Sequence, residues 1–337
     1  MTFDPADRDA VAAALVASAT DRLGLPVATT EFERVQGGLD NLVWFVALSG
    51  DHLDDEWRRP LVLRIRPTAD RAPDADRESA VQRWVEAAGF PAASVVASID
   101  ACDRFPLPAQ LAVRAQGRAL IVELTARPLA IRRTIRRFAA LHARLHALSP
   151  EEWPGVIGTA RSQRLASVRR QLDVTPDAEL SAALARVERL DLAPGGRPLV
   201  PCHGDFHPLN IVSGGSSDVV IDWTDATLDD ATSDVARAHV LFHVAAIAGR
   251  SRFERALLRA LGPLLARWYL RAYAQHNPVD HERLAMWEAV HLLQGWAQIC
   301  GVRANSFASA SAPESIPDPV FRFIRSSLQR RLAGLGV

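Results

Sequence analysis

The stretch that decides the fold reads His203-Gly204-Asp205-Phe206-His207-Pro208-Leu209-Asn210, and Ile221-Asp222-Trp223 follows it. Two short β-type runs, 211–212 and 219–221, lie between these motifs, and Gly214-Gly215-Ser216-Ser217 supplies a turn. The pattern therefore predicts a β-hairpin. Such a hairpin would bring Asn210 and Asp222 to the same end, close enough to share an ion.

An aspartate, an asparagine and a second aspartate in this order are typical of kinase-like phosphoryl transfer. One aspartate receives the proton of the attacking hydroxyl, while the asparagine and the second aspartate hold Mg²⁺ against the nucleotide phosphates. Each piece alone is more often structural, since H-x-D is common by chance and an aspartate after a strand often caps a helix. Together they favour Asp205, Asn210 and Asp222 as catalytic residues, with Asn210 and Asp222 as metal ligands.

A glycine pair lies between two β-type runs, at Gln36-Gly37-Gly38-Leu39-Asp40-Asn41. Paired glycines in a strand-turn-strand allow the backbone to approach phosphates, and Asp40 or Asn41 suits the tight turn. A glycine pair by itself is most often only a turn. We nevertheless expect Gly37, Gly38 and Asn41 to contribute to nucleotide binding.

A cation follows on the next β-type run, Pro60-Leu61-Val62-Leu63-Arg64-Ile65-Arg66. Its place in the order of elements is that of the phosphate-binding lysine of kinases. A helix with Asp76, Arg77 and Glu78 in its first turn follows, and Glu78 is well placed to pair with Arg64. Arg66 is a rival, because strand alternation puts both arginines on one face.

Together these motifs resemble the aminoglycoside phosphotransferase family, from about the glycine turn to Asp234. The resemblance implies an α+β, bilobal protein-kinase-like fold, with a small N-terminal lobe on an antiparallel sheet and a larger, mainly helical C-terminal lobe. It implies Asp205 as catalytic base, Asn210 and Asp222 as magnesium ligands, and His203 as a residue that fixes the loop near Asp222. His207 is left without a role.

The chain departs from the kinase pattern in having no lysine, since all 39 basic residues are arginines. Arg64 must therefore serve in place of the lysine. Its planar guanidinium suits both phosphate and carboxylate oxygens. Register against the V-L-R pattern of the family favours Arg64 over Arg66.

The predicted N-terminal nucleotide-binding lobe spans 1–114, with a leading helix over 1–25, and the C-terminal catalytic and substrate-binding lobe spans 115–337. Residues 110–114 are predicted as the last strand of the first lobe and 115–117 as the hinge, where the backbone from Val113 to Ala115 would hold the adenine edge. Helices are predicted over 131–148, 158–172, 177–190, 234–248, 252–275, 281–300 and 318–333. His142 and His146 are expected to be surface or core residues rather than ligands.

Composition excludes several classes of protein. The net charge is zero, which does not indicate a nucleic-acid binder, and no apolar run approaches the ~18 residues of a membrane helix. Three cysteines show neither metal-site spacing nor a disulfide framework, and no signal peptide is evident. We expect a cytoplasmic protein without a nucleic-acid, membrane or protein partner.

The sequence disfavours two alternatives to a small-molecule kinase. A protein kinase needs a long activation segment ending in A-P-E, but Ala312-Pro313-Glu314 lies ninety residues beyond Asp222 in a predicted loop, and Asp234, expected to cap the next helix, follows Asp222 closely. A kinase fold that has lost its chemistry is disfavoured because the whole residue set is present.

The acceptor is the least determined part of the prediction. The sequence predicts a magnesium-dependent transfer from ATP or GTP to a hydroxyl of a small molecule, such as an aminoglycoside-like antibiotic or a hydroxylated metabolite. A cationic acceptor needs carboxylates, which Asp225, Asp229 and Asp230 could supply, although acids in a turn are equally explained as caps. The alternative is a non-cationic acceptor, such as another class of antibiotic.

Overall fold

A computed structural model describes the following ranges of the chain: 3–35, 41–68, 72–103, 105–193, 195–214, 217–244, 252–304 and 318–337. The described chain divides into two compact units. The first comprises 1–117 and 212–224, and the second comprises most of the remainder, 118–211 and the residues from Asp225 onward. Residues 212–224 therefore group with the N-terminal unit, whereas the predicted division placed a single boundary after residue 114.

The first unit is built on a five-stranded sheet with the strand order β1-β2-β3-β5-β4, in which every neighbouring pair is antiparallel. The predicted antiparallel sheet is thus present. Alternate residues of β2 are buried, which is the two-residue period of a strand with one face on a core. The strands are β1 (Ala28–Val35), β2 (Leu42–Ser49), β3 (Leu61–Ile65), β4 (Val95–Ile99) and β5 (Ala109–Val113).

Three helices belong to this unit: α1 (Arg8–Leu23), α2 (Asp55–Arg58) and α3 (Ala72–Ala87). The predicted leading helix is α1, which begins where the Asp7 carboxylate accepts the backbone N–H groups of Asp9 and Ala10. Helix α3 begins one turn earlier than predicted, so Glu78 lies in its second turn. Leu15 of α1 packs with Leu61 and Phe105 in the core of the unit.

The predicted hairpin is also present, because β9 (Ile211–Gly214) and β10 (Ser217–Val220) are hydrogen-bonded neighbours. Val220 N–H donates to Pro91 O at 2.8 Å, which ties the hairpin to the chain ahead of β4. At the predicted hinge, Gly117 has φ 129°, and a Cβ there would lie 2.2 Å from Ser213 O. Only glycine allows the hinge to lie so close to β9.

The second unit is mainly helical. A small sheet with the order β7-β11-β8 accompanies the helices, and β11 is parallel to β7 and antiparallel to β8. The helices are α4 (Leu120–Ala126), α5 (Ile131–His146), α6 (Ala160–Val174), α7 (Ala178–Glu188), α8 (Ala231–Val244), α9 (Arg252–Tyr273), α10 (His281–Arg303) and α11 (Asp318–Gly334). The short strands are β6 (Arg118–Ala119), β7 (Val156–Ile157), β8 (Val200–Cys202) and β11 (Thr227–Asp229).

Helix α5 shows why the periodic segments fold as predicted. Ile135, Phe138 and Leu145 recur at helical spacing, and all three side chains are fully buried. His142 and His146 are also buried, so of the two expected settings they occupy the core. No helix within the described ranges combines the length and the apolar character needed to cross a membrane.

Candidate active site

In the first unit, the carboxylate of Glu78 joins β3 to the segment that follows β10. Arg64 forms the predicted ion pair with Glu78, and its Nη2 also donates to Asp222 Oδ1 at 2.8 Å. The backbone N–H of Trp223 donates to Glu78 Oε1 at 3.1 Å. Thr224 Oγ1 lies 3.2 Å from Glu78 Oε2 and 2.9 Å from Asp222 Oδ1. One buried acid therefore fixes both the candidate phosphate-binding cation and the candidate metal ligand.

Exposure and charge differ among these groups. The Glu78 side chain is 2% exposed, that of Arg64 15% and that of Asp222 42%. Burial by itself would lower the pKa of Arg64, but the charges of Glu78 and Asp222 outweigh burial and raise it. Asp222 has φ 67°, a left-handed conformation that is uncommon for a non-glycine residue. Its carboxylate is thus the part of this cluster most open to a ligand.

Arg66 is the rival cation, and it has a different environment. Its guanidinium pairs with Glu78 Oε2, donates to Asn41 Oδ1 at 3.1 Å, and is only 4% exposed. Asn41, predicted to help bind the nucleotide, is thereby tied to Arg66. Gly37 and Gly38, predicted with it, lie outside the described residues.

The predicted adenine-binding segment runs from the end of β5 into the hinge. The backbone N–H of Val113 donates to Ser94 O and that of Arg114 to Pro60 O, both at 2.8 Å. These N–H groups already serve the sheet. For a hydrogen bond to the adenine edge, Val113 could therefore offer only its carbonyl as an acceptor. Within the predicted segment, the donor N–H would then have to come from Ala115.

In the second unit, the Asp205 carboxylate is held on both oxygens. Arg237 Nε donates to Oδ1 at 2.9 Å, and His207 Nε2 lies 3.1 Å from Oδ2. Because His207 Nδ1 accepts the backbone N–H of Leu209 at 3.2 Å, the proton of the neutral ring belongs on Nε2, which donates to Asp205. His207, left without a role by the sequence, therefore orients the candidate base.

Burial would raise the pKa of Asp205, but Arg237 and then His207 hold it well below its usual range. The carboxylate is therefore ionised at neutral pH. Asn210 Nδ2 donates to the backbone carbonyl of Asp205 at 3.1 Å. This bond fixes the orientation of the Asn210 amide and leaves its Oδ1 as the atom suited to a cation.

The backbone ahead of Asp205 is anchored by Asp234, which is fully buried. Its carboxylate accepts the backbone N–H of His203 at 2.6 Å and that of Gly204 at 2.9 Å. Asp234 was expected to cap the next helix, but it lies within the first turn of α8 and holds this loop instead. Gly204 has φ 81°, and a Cβ there would lie 2.3 Å from Asp225 O, so glycine is required.

Two helices deliver further polar side chains to Asp234. His142 Nε2 and His146 Nε2 lie 3.1 and 3.4 Å from Asp234 Oδ2. Their Nδ1 atoms each lie 2.7 Å from a tyrosine hydroxyl, that of Tyr269 and that of Tyr273 respectively. Every ring nitrogen of the pair thus has a protein partner, so this buried network is satisfied without a metal ion.

Of the three acids suggested for a cationic acceptor, two are buried and serve helix ends. Asp229 is buried and accepts Ala160 N at the start of α6 at 2.9 Å. Asp230 is buried, pairs with Arg283, and accepts Thr232 N at the start of α8 at 2.8 Å. The capping explanation is therefore the correct one for both, because their oxygens serve helix ends. Asp225 alone of the three is exposed.

Sequence reasoning missed three side chains that contact the predicted residues. Arg237 contacts Asp205, Thr224 contacts Asp222 and Glu78, and Arg164 Nη2 donates to Gly204 O at 2.7 Å. In the sequence, the contact of Arg237 could have been suspected only from its position near the start of the helix that follows the motif. Nothing local in the sequence relates Arg164 to Gly204, forty residues away.

Comparison with known proteins was made on both sequence and structure. The family model described as "Phosphotransferase enzyme family" matches residues 31–304. Among curated proteins, none matches this chain. The chain is structurally similar to a thermostable mutant of the aminoglycoside phosphotransferase APH(4)-Ia in ternary complex with ADP and hygromycin B, at 15% identity and TM-score 0.61 over 95% of this chain and 98% of that one.

Two other solved structures are similar over nearly their whole length. A choline/ethanolamine kinase family protein from Mesorhizobium loti shares 19% identity, with TM-score 0.58 over 98% of this chain and 99% of that one. The GDP and kanamycin complex of APH(2")-IIia shares 16%, with TM-score 0.59 over 95% and 98%. These likenesses confirm the predicted kinase-like α+β fold, and the family-model match confirms the resemblance drawn from the motifs.

Proposed function

Because this chain belongs to the phosphotransferase enzyme family, we propose that it transfers the γ-phosphoryl group of ATP or GTP to a hydroxyl of a small molecule. The observation that carries the proposal is the Asp205 carboxylate, ionised and oriented by Arg237 and His207. A carboxylate held in this way is suited to receive a proton from an acceptor hydroxyl.

In the proposed reaction, Asp205 accepts a hydrogen bond from the acceptor hydroxyl and directs an oxygen lone pair at the γ-phosphorus. The bond from the acceptor oxygen to phosphorus forms while the bond to the β-phosphate oxygen breaks. The hydroxyl proton passes to Asp205, and the nucleoside diphosphate leaves. Much of the rate gain in such reactions comes from positioning rather than from basicity, so a low pKa of Asp205 is compatible with this role.

Asn210 and Asp222 are the proposed ligands of Mg²⁺. Their amide and carboxylate oxygens are hard donors of the kind this ion prefers, and the exposed, left-handed Asp222 is the most open acid of its cluster. When bound, the ion would neutralise phosphate charge. The support for the pair is the motif spacing together with the β9–β10 hairpin.

Arg64 is the proposed phosphate-binding cation, supported by its raised pKa and by its contact with Asp222. Arg66 is more deeply buried and satisfied by Glu78 and Asn41, which suits a structural role. Ala115 is the proposed backbone donor to the base. Neither its backbone groups nor those of Val113 distinguish ATP from GTP.

The acceptor is proposed to be a hydroxylated small molecule. A cationic amino sugar was the leading candidate, but the buried Asp229 and Asp230 no longer support it. Arg237 and His207 already contact both oxygens of the Asp205 carboxylate, so a cationic group of the acceptor would gain little attraction from that carboxylate. This observation favours an acceptor that is uncharged near the reacting hydroxyl. The proposal includes a cytoplasmic location, where nucleoside triphosphates are supplied. If the acceptor is an antibiotic, its phosphorylation is proposed to inactivate it.

The test is a phosphorylation screen of the purified chain with Mg²⁺ and γ-labelled ATP or GTP. The panel combines hygromycin B, kanamycin, choline and ethanolamine with uncharged hydroxylated antibiotics and metabolites. Asp205→Asn should bind nucleotide normally but lose turnover by roughly 10²- to 10⁴-fold. Asp222→Ala should lose magnesium-dependent nucleotide binding. Normal turnover by Asp205→Asn would show that Asp205 is not the base.

A further inference from the structure

A buried cluster formed by His142, Asp234 and Tyr269 holds the Asp205 loop from both sides. On the N-terminal side, the Asp234 carboxylate accepts the backbone N–H groups of His203 and Gly204. On the C-terminal side, the ring of Phe206 stacks on the ring of His142, with centroids 4.0 Å apart and planes 14° apart. Asp205 lies between these two attachments in the chain.

His142 connects the two attachments, because its Nε2 lies 3.1 Å from Asp234 Oδ2 while its face supports Phe206. Burial is the main cause that lowers the pKa of His142 to about 4, so the ring is neutral at neutral pH. A neutral imidazole ring carries one N–H. Because the carboxylate of Asp234 can only accept hydrogen bonds, that N–H must be on Nε2. Nδ1 must then accept, and the hydroxyl of Tyr269, 2.7 Å away, must donate.

The two tyrosines near this cluster, Tyr269 and Tyr273, are the only tyrosines in the chain. They are one turn apart on α9, and each places a hydroxyl 2.7 Å from a histidine Nδ1. Their histidine partners differ in two respects. The ring stacked on Phe206 is that of His142, the partner of Tyr269, whereas His146, the partner of Tyr273, lies farther from Asp234 at 3.4 Å.

We propose that His142, oriented by the hydroxyl of Tyr269, is a positioning residue for the catalytic base Asp205. The inference rests on the proposed role of Asp205. The hydroxyl sets the tautomer of His142, the Nε2–H of His142 steadies Asp234, and the face of His142 steadies Phe206. Because both neighbours of Asp205 are then fixed, its carboxylate meets the acceptor in one orientation.

The test compares Tyr269→Phe with Tyr273→Phe. Each variant removes one buried hydroxyl that lies 2.7 Å from a histidine nitrogen, and Tyr273→Phe also removes the acceptor of Asn277 Nδ2 at 3.3 Å, so Tyr269→Phe should lose no more thermal stability than Tyr273→Phe. Tyr269→Phe should lower kcat by roughly 10- to 100-fold at unchanged nucleotide KM, and Tyr273→Phe should stay within about twofold of wild type. The rate is phosphate transfer from Mg·ATP to an acceptor from the screen, or to water.

Amide hydrogen exchange supplies a readout that needs no acceptor. The N–H groups of His203 and Gly204 should exchange faster in Tyr269→Phe than in Tyr273→Phe. Equal kcat values and equal exchange in the two variants would overturn the inference and leave Tyr269 a structural residue.

A double variant separates this inference from the proposed function. In an Asp205→Asn background, Tyr269→Phe should cause little further loss of kcat, because the orientation of a missing base no longer matters. If Tyr269→Phe lowers kcat as much in the Asp205→Asn background as in the wild-type chain, Tyr269 acts on something other than Asp205. If Asp205→Asn alone is fully active, the proposed base is wrong, and the exchange comparison still shows whether Tyr269 holds the loop.

Discussion

Arg64 and Arg66 share the carboxylate of Glu78, and Arg64 Nη2 also donates to Asp222 Oδ1 at 2.8 Å. We expect Arg64→Ala to raise the nucleotide KM by roughly 10- to 100-fold, because a guanidinium that pairs with phosphate oxygens is lost. Arg64→Lys should retain part of the activity, since a point charge still reaches the phosphates without two parallel hydrogen bonds. Steady-state kinetics with varied Mg·ATP measures both.

Arg66→Ala is the matched control for Arg64. It also removes a partner of Glu78, and its deeper burial predicts mainly a loss of stability, which the remaining Arg64–Glu78 pair should moderate. A lower melting temperature with a near-normal nucleotide KM is expected. If Arg66→Ala raises the KM and Arg64→Ala does not, the assignment of the two arginines must be exchanged.

Arg237 offers a test through pH. Its charge lowers the pKa of Asp205, so Arg237→Ala should raise that pKa. Because the proposed reaction needs ionised Asp205, the acid limb of kcat/KM should move to higher pH. Activity should therefore fall more at pH 5.5 than at pH 8. His207→Asn should shift the limb in the same direction but less, since Arg237 is the larger cause. If the acid limb of kcat/KM does not move in Arg237→Ala, that limb does not arise from the ionisation of Asp205.

At the residue scale, the sequence supported predictions where the spacing is local. Asp205, Asn210 and Asp222 were predicted as site residues because the loop and hairpin fix their separations. Arg64 and Glu78 were predicted to pair because strand and helix follow one another, and the structure contains that ion pair. The partners that tune them were missed, since Arg237 and Arg164 reach the loop by tertiary packing across 32 and 40 residues.

At the scale of elements, Asp229 and Asp230 connect β11 to the starts of α6 and α8. Asp230→Ala should strongly lower the melting temperature, because it leaves buried Arg283 without its carboxylate, at a cost of about 3–5 kcal/mol. Asp229→Asn should cost less, about 1 kcal/mol, because both carboxylate oxygens accept backbone N–H groups and the amide has only one acceptor oxygen. Thermal unfolding followed by circular dichroism measures both.

These two acids separate structural from substrate effects. The variants that still fold should show wild-type KM values for acceptor and nucleotide. Asp225→Asn, at the exposed neighbouring acid, is the comparison variant for these KM values. A raised acceptor KM in folded Asp229→Asn, without loss of stability, would restore the cationic-acceptor hypothesis.

Elements with a strong period were predictable, and short ones were not. The apolar stripe of α5 and the alternation of β2 mark their segments, so only the ends differ by a few residues. The two- and three-residue strands β7, β8 and β11 contain too few residues to show a period. They exist because their partners supply hydrogen bonds, which is tertiary information.

At the scale of the whole molecule, only part of the division into two units could be predicted from the sequence. The predicted hinge at 115–117 lies where the first unit ends, but 212–224 returns to that unit. The contacts of Trp223 and Thr224 with Glu78, and of Val220 with Pro91, hold that segment there. A sequence read from one end to the other gives no signal for such a return.

Stability of the whole chain should fall as the pH drops from 6.5 to about 4. Burial is the main cause that lowers the pKa values of His142 and His243 from 6.5 to about 4. Between these values the unfolded chain binds protons that the folded chain does not, so protons favour unfolding and the stability present above pH 6.5 is progressively lost. The melting temperature, measured by calorimetry in steps of pH, should decline across this window.

Carboxylates act mainly in a lower window, which allows the histidine contribution to be isolated. Asp205 and Asp234 have pKa values well below 3.8, so their stabilisation is lost only as the pH falls below that value. Asp229, whose pKa burial raises above 3.8, opposes the decline near its lower end. His243→Asn should flatten the decline by removing one half-buried histidine with a lowered pKa, while His276→Asn, at an exposed histidine, should not. A melting temperature that is constant from pH 6.5 to 4.5 in the wild-type chain would contradict the depressed pKa values of His142 and His243.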